Sequence, residues 1–154
     1  MMRNGIFGTS LDLSIRFARE INAACAATDW FPYVVAAIQQ NETSALPNAA
    51  TIVSPDGGHG VMQLTATYPE NWADPYANIL YAIEHFLKPA EAYWCGHVQG
   101  EDLVRAIAAE YNAGRGNAIL GHKAGNLDLY TTDHYAARAL QAYLRLVHDG
   151  AVAP

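Results

Sequence analysis

A helical pattern of apolar residues runs along most of this chain and breaks once, at residues 43–60. The break holds Ser44, Pro47, Asn48, Ser54, Pro55 and Asp56, with glycines at 57, 58 and 60. These residues favour turns, each for its own conformational reason. The segment is either a long loop or a short hairpin. On both sides of it the pattern predicts helices, so the expected fold class is mainly α: a single compact helical domain with an irregular loop or small hairpin between its second and third helices. Irregular segments of this length inside a compact domain tend to carry function.

The helices follow from periodicity and caps. Ser10 or Asp12 is expected to cap a first helix running to about Ala27. Asp29 is a candidate cap for the second, "WFPYVVAAIQQNE", where Pro32 falls in the first turn and its missing N–H is harmless. Val34, Val35 and Ile38 share one face, and Glu42 lies one turn beyond Ile38 at the helix end. Asp74 and Pro75 open a third helix, with Ile79, Ile83, Phe86 and Leu87 as its buried stripe, and Pro89 should kink or end it. "EDLVRAIAAEYNAG" is a further helix stopped by Gly114, and a short one follows at about 117–122. Thr131 or Thr132 is the expected cap of the last, with Tyr135, Leu140, Tyr143, Leu144 and Val147 facing inward.

The chain has 154 residues, which favours one domain large enough to bury a core without staples. Its net charge is −6 and no Lys or Arg cluster occurs, which argues against nucleic acid as a partner. No stretch approaches the roughly 20 apolar residues that span a membrane, so no membrane insertion is expected. The N-terminus has no apolar run of signal-peptide length, which leads us to expect synthesis in the cytoplasm and delivery by another agent if the protein acts elsewhere. Cys25 and Cys95 make no disulfide framework; they are two buried free thiols or one bridge in an oxidising compartment. The six histidines show no zinc spacing with each other or with cysteine, so a metal enzyme is disfavoured.

Glu42 is the residue with the most chemistry in it. A carboxyl at a helix end, beside apolar residues, loses hydration when ionised, and the helix C-terminus adds negative partial charge; both raise its pKa. A carboxyl still protonated near neutral pH is suited to protonating a glycosidic oxygen. Beyond the loop, "GHGVMQL" supplies small residues for close approach of a sugar, and Gln63 offers an amide. "EYNAGRGN" places Tyr111 and Asn112 at a helix end.

Together these segments resemble the catalytic domain of the soluble lytic transglycosylases, lysozyme-like enzymes that cut peptidoglycan. The resemblance covers roughly residues 33–147, with residues 1–28 as a helical extension packed on that domain. The family's Glu-Ser pair after an apolar helix is matched by Glu42-Thr43, its Gly-Leu-Met-Gln by Gly60-Val61-Met62-Gln63, and its Ala-Tyr-Asn-Ala-Gly by Glu110-Tyr111-Asn112-Ala113-Gly114. The Asp-Pro and Asn-Ile pairs that open a helix are matched by Asp74-Pro75 and Asn78-Ile79, and the late Glu-Thr followed by Tyr by Thr131-Thr132 and Tyr135.

The resemblance implies an α+β, lysozyme-like fold and a reaction that needs no cofactor and no metal. Glu42 would act as acid toward the bond between N-acetylmuramic acid and N-acetylglucosamine. It would then act as base on the muramyl C-6 hydroxyl, closing a 1,6-anhydro ring. Thr43, Gly60, Met62, Gln63, Tyr111, Asn112 and Tyr135 would form the substrate site, with Tyr135 donating a hydrogen bond toward Glu42. The partner would be peptidoglycan glycan strands met by a monomer, in the setting of a phage endolysin, a virion lysin or an exported bacterial effector. The chain departs from the family pattern at Thr43, Val61, Glu110, Arg115 and Thr131. Glu110 and Arg115 are read as solvent-facing. Goose-type lysozymes share the Met-Gln segment but hydrolyse, and they tend to carry an Asp where this chain has Thr65. An inverting hydrolase needs a second carboxylate about 6.5–9.5 Å from the acid; Asp56 is the nearby candidate, although "SPDGG" is also a good turn. A non-catalytic glycan-binding module is the remaining alternative.

Overall fold

The computed structural model describes Ile6, residues 9–44 and residues 46–152. It is mainly helical: α1 Ala18–Thr28, α2 Pro32–Thr43, α3 Pro75–Ala82, a π-helical segment Ile83–Leu87, α4 Lys88–Trp94, α5 Glu101–Ala113, α6 Arg115–Lys123 and α7 Tyr135–Val152. Among the described residues, no helix is long and apolar enough to cross a membrane.

Helix α2 is the central element. Every residue from Pro32 to Gln39 is buried, because "PYVVAAIQ" carries no charge and its alanines let neighbouring helices approach closely. Helix α7 packs against both α2 and α5, while α1 packs on α3 and α2. The face α7 turns inward is Tyr135, Ala136, Ala139, Ala142, Tyr143 and Leu146, spaced as one stripe of a helix. The expected Leu144 is 39% exposed, and Leu146 takes the buried position instead.

Several helix starts differ from expectation for identifiable reasons. Helix α1 begins at Ala18, after turns at residues 13–17, because Phe17 adopts a left-handed conformation. The carboxylate of Asp12 caps only the local turn, accepting from the Ser14 N–H at 2.8 Å. Asp29 ends α1 in a left-handed conformation and does not start α2; Phe31 is the residue before Pro32. Asp74 caps α3 as expected, accepting from the Ala77 N–H at 2.9 Å. Pro89 neither ends nor breaks its helix. The chain changes register just before it, with the Lys88 N–H bonding back to the Ile83 carbonyl, and a proline has no N–H to lose at the start of α4. The two cysteines are free; Cys25 is buried, but Cys95 is exposed, against the expectation of two buried thiols.

The irregular segment extends through residues 44–74 and contains no strand among its described residues. Isolated antiparallel bridges join Val53 to His59 and His59 to Leu64. Asn78, fully buried on α3, organises its centre. Its Oδ1 accepts from the Met62 N–H at 2.9 Å, and its Nδ2 donates to the carbonyls of His59 and Trp72, each at 3.0 Å. Gly60, at φ +70°, passes so close that a Cβ would lie 2.5 Å from Asn78 Nδ2, so only glycine fits there. Replacing Asn78 by Ala leaves the Met62 N–H and the Trp72 carbonyl without their partner, while the His59 carbonyl keeps the Leu64 N–H. It should lower stability by about 3 kcal/mol, each unmet buried group costing roughly 1–3 kcal/mol; urea unfolding of the variant checks this.

Candidate active site

The last turn of α2 and the irregular segment face each other across an open cleft of about 130 Å³, lined by Glu42, Asp56, Gln63, Leu64, Thr65, Phe86, Tyr111 and Asn112. Glu42 reaches it because α2 is anchored on both sides of that position. The Thr43 hydroxyl, buried, donates to the Val61 carbonyl at 2.8 Å and so ties the helix end to the loop. Gln39 Nε2 donates to the same hydroxyl at 3.0 Å. Asn41 Nδ2 donates to the Tyr135 carbonyl at 3.0 Å, tying the helix end to α7.

Glu42 itself is half-buried. The Tyr135 hydroxyl donates to its Oε1 at 2.6 Å. Burial pushes the carboxyl up to about 7. The Tyr135 hydrogen bond and the Arg138 guanidinium oppose that rise, and the negative charge of Asp56 adds to it. The phenols of Tyr111 and Tyr135 are driven well above their ordinary value, first by burial and then by the Glu42 charge, so both remain hydrogen-bond donors. Asp56 behaves oppositely: it is exposed, and the Ser54 hydroxyl and nearby backbone N–H groups hold its carboxyl below the usual range. The cleft therefore contains one carboxyl protonated near neutrality and one carboxylate that stays ionised.

The residues expected to bind substrate divide into two groups. Gln63, Tyr111 and Asn112 line the cleft. Gln63 adopts a left-handed backbone, φ 52°, and its Nε2 is fixed on the Gly60 carbonyl at 2.9 Å. Asn112 Oδ1 accepts from the Thr132 N–H at 2.8 Å, which leaves its Nδ2 as a donor. The Tyr111 hydroxyl donates to the Met62 carbonyl at 2.5 Å, so its ring lines the wall while its polar end is spent inside. Thr43, Gly60, Met62 and Tyr135 are buried, with Met62 at 0% and Tyr135 at 3% exposure. They support the cleft from behind and do not present surface to a ligand.

Glu110 is placed differently from the solvent-facing reading, whereas Arg115 is exposed as expected. Glu110 Oε2 accepts from Trp94 Nε1 at 2.8 Å, and its Oε1 pairs with Arg115 at 2.9 Å. Arg115 also donates to the Pro89 carbonyl at 3.0 Å and lies over the Tyr93 ring. The pair is a clasp between α5, α4 and the start of α6, made of charges that neutralise each other. Asp56, read mainly as a turn residue, does form its turn with Ser54, but it also lines the cleft. Asn78 as organiser of the loop, and Asp128 at the entry to α7, were not identified from the sequence as site residues. The signal for Asn78 lay in its helix-opening motif; for Asp128 there was only its place in a turn-rich stretch.

Among the described residues, no three His, Cys, Asp or Glu side chains stand together as a metal site. No protein-family model matches the chain, and no curated protein matches it.

A group whose pKa is raised on folding stabilises the fold fully below its unfolded value and loses that contribution as pH rises through the folded value. For Glu42 the window runs from the ordinary 4.5 to about 7. Burying the ionised form above that window costs about 3 kcal/mol. Glu42→Gln, which keeps an acceptor for the Tyr135 hydroxyl, should be more stable than the parent at pH 8 and nearly equal to it at pH 4. Thermal melts of both proteins across this range check the sign.

Proposed function

We propose that the protein is a peptidoglycan lytic transglycosylase with a lysozyme-like fold, cutting the β-1,4 bond between N-acetylmuramic acid and N-acetylglucosamine. The observation that carries this reading is the state of Glu42: a carboxyl with pKa near 7, held by a phenol at 2.6 Å, at the wall of an open cleft. The order of the matching motifs along the chain supports it further.

In this mechanism Glu42 gives its proton to the glycosidic oxygen as the bond to the muramyl C-1 breaks. The Tyr135 hydroxyl, still donating to Oε1, stabilises the carboxylate that forms. The substrate's own acetamido oxygen assists at C-1. The Glu42 carboxylate then removes the proton from the C-6 hydroxyl, whose oxygen attacks C-1 and closes the anhydro ring. The acid is thereby restored, and no water is consumed. Gln63 and the Asn112 amide supply polar contacts for acetamido and hydroxyl groups, and Phe86 and Tyr111 supply apolar surface for sugar faces. The role that fits is opening a bacterial wall, in lysis or in penetration.

A hydrolytic muramidase is the second reading, and one observation favours it. Asp56 is ionised, shares the cleft with Glu42 and is close enough for its charge to raise the Glu42 pKa. That is the relation expected of a base activating water opposite the acid.

Mass spectrometry of digested peptidoglycan separates the two. Anhydro-muropeptides are expected; products heavier by one water assign hydrolysis. Glu42→Gln should reduce turnover by roughly 10³-fold while keeping glycan affinity, general acid–base catalysis contributing about 10²–10⁴-fold. A non-catalytic glycan binder would be indifferent to that change. Asp56→Asn should leave lyase turnover within a few-fold and move the alkaline limb of the pH profile downward, since it removes a negative charge that raises the Glu42 pKa. Loss of turnover on that substitution would instead support the hydrolase.

A further inference from the structure

We infer that Asp128 is a positioning residue of this site: its carboxylate fixes the entry to α7 and thereby sets the Tyr135 hydroxyl against Glu42. The inference rests on geometry outside the cleft. Tyr135 is the first residue of α7, and the first N–H groups of a helix have no partner within it. Arg138 bonds back to the carbonyls of Asp133 and His134, which leaves the N–H groups of Ala136 and Ala137 to be met from outside. The chain enters through Asp133 and His134, two consecutive residues in the left-handed region at φ 51° and 53°. Neither is glycine, and such a pair persists only where its surroundings over-determine it.

Asp128 supplies three bonds of that determination, beside Arg138 Nε on the Asp133 carbonyl. Its Oδ1 accepts from the Ala136 N–H at 2.7 Å and its Oδ2 from the Ala137 N–H at 3.0 Å. Oδ1 also accepts from the Thr131 hydroxyl at 2.6 Å. One carboxylate therefore binds the first turn of α7 and the approach to it together. A negative charge at this helix end is favourable in its own right. Thr131 and Thr132, the expected caps, do not reach the helix: Thr131 donates to Asp128, and Thr132 offers its backbone N–H to Asn112.

What this entry delivers is the side-chain set that governs Glu42 from α7. Tyr135 donates to the acid, and Arg138, one turn on, lies over the Tyr135 ring at 5.9 Å and favours the ionised acid. From the other elements, Asp56 on the loop and Tyr111 on α5 also face Glu42. Neither is held by Asp128. Releasing the α7 entry should thus remove the stabilising groups and leave the opposing charge of Asp56 in place.

The test is a titration of the Glu42 side chain by ¹³C carboxyl NMR in the whole chain, for the parent, Asp128→Ala, Asp128→Asn and Tyr135→Phe. The midpoint is expected to rise in Tyr135→Phe and Asp128→Ala by roughly one pH unit, the worth of a hydrogen bond to a charged group. Asp128→Asn should move it less and in the same direction, since the amide keeps one acceptor. It serves if the alanine variant does not fold. Combining Asp128→Ala with Tyr135→Phe should add nothing to the shift of Asp128→Ala alone. An unmoved or lowered midpoint in the folded Asp128 variants, or full additivity with Tyr135→Phe, overturns the inference. Only the kinetic counterpart depends on the proposed function: kcat should fall with KM unchanged, and the alkaline limb should rise with the NMR midpoint. If the NMR midpoint moves and no peptidoglycan is cut by any of these proteins, positioning stands and the transglycosylase reading fails.

Discussion

The structure is organised around keeping one carboxyl group partly out of water. Ionising Glu42 requires its removal from solvent to be offset by a hydrogen-bond donor, and Tyr135 is the donor that meets it directly. Everything that holds those two groups together is indirect. Helix α2 is fixed by its apolar burial and by the Thr43 bond to Val61; α7 is fixed by its packing on α2 and α5 and by Asp128. Under the proposed function, a desolvated acid on a rigid helix would be poised before any ligand arrives, a preorganisation that lets a proton transfer without rearrangement.

The same cleft shows how two carboxyl groups can be driven to different states by their surroundings. Glu42 is surrounded by buried side chains and by the end of a helix. Asp56 stands in a solvated turn with a hydroxyl and backbone N–H groups aimed at it. Environments that push two acids apart in this way separate the proton donor from the permanent anion. The opposite case is Glu110, whose two oxygens are taken up by Trp94 and by the exposed Arg115, so its charge is paired and does not line the cleft.

Where local chemistry decided, the sequence was legible. Pro32, Asp74, Pro75 and Gly114 mark helix boundaries by rules that act within a few residues, and the structure follows them. The environment of Glu42 was partly accessible, because helix end and apolar face are readable in one dimension, whereas the approach of Tyr135 was expected only from the family resemblance. What was not legible needed three dimensions. That Met62 turns inward depends on Asn78 reaching across from α3 to the loop, and that Thr43 does depends on the Val61 carbonyl. That Asp128 caps α7 depends on a chain reversal between it and the helix, which no short cap pattern describes. The left-handed Phe17, which delays α1 past both capping candidates, packs against the core and has no local turn signal in the sequence. The register change before Pro89 belongs to the same class, since either a break or a π turn satisfies the missing N–H.

The two thiols differ enough to be useful in the laboratory. Burial pushes Cys25 up to about 12, so it has almost no thiolate at ordinary pH, whereas Cys95 is exposed at the end of α4. Thiolate is the nucleophilic form, so a maleimide dye should attach at one position without any engineered cysteine. The molecule thus carries its own single attachment point for fluorescence or surface tethering.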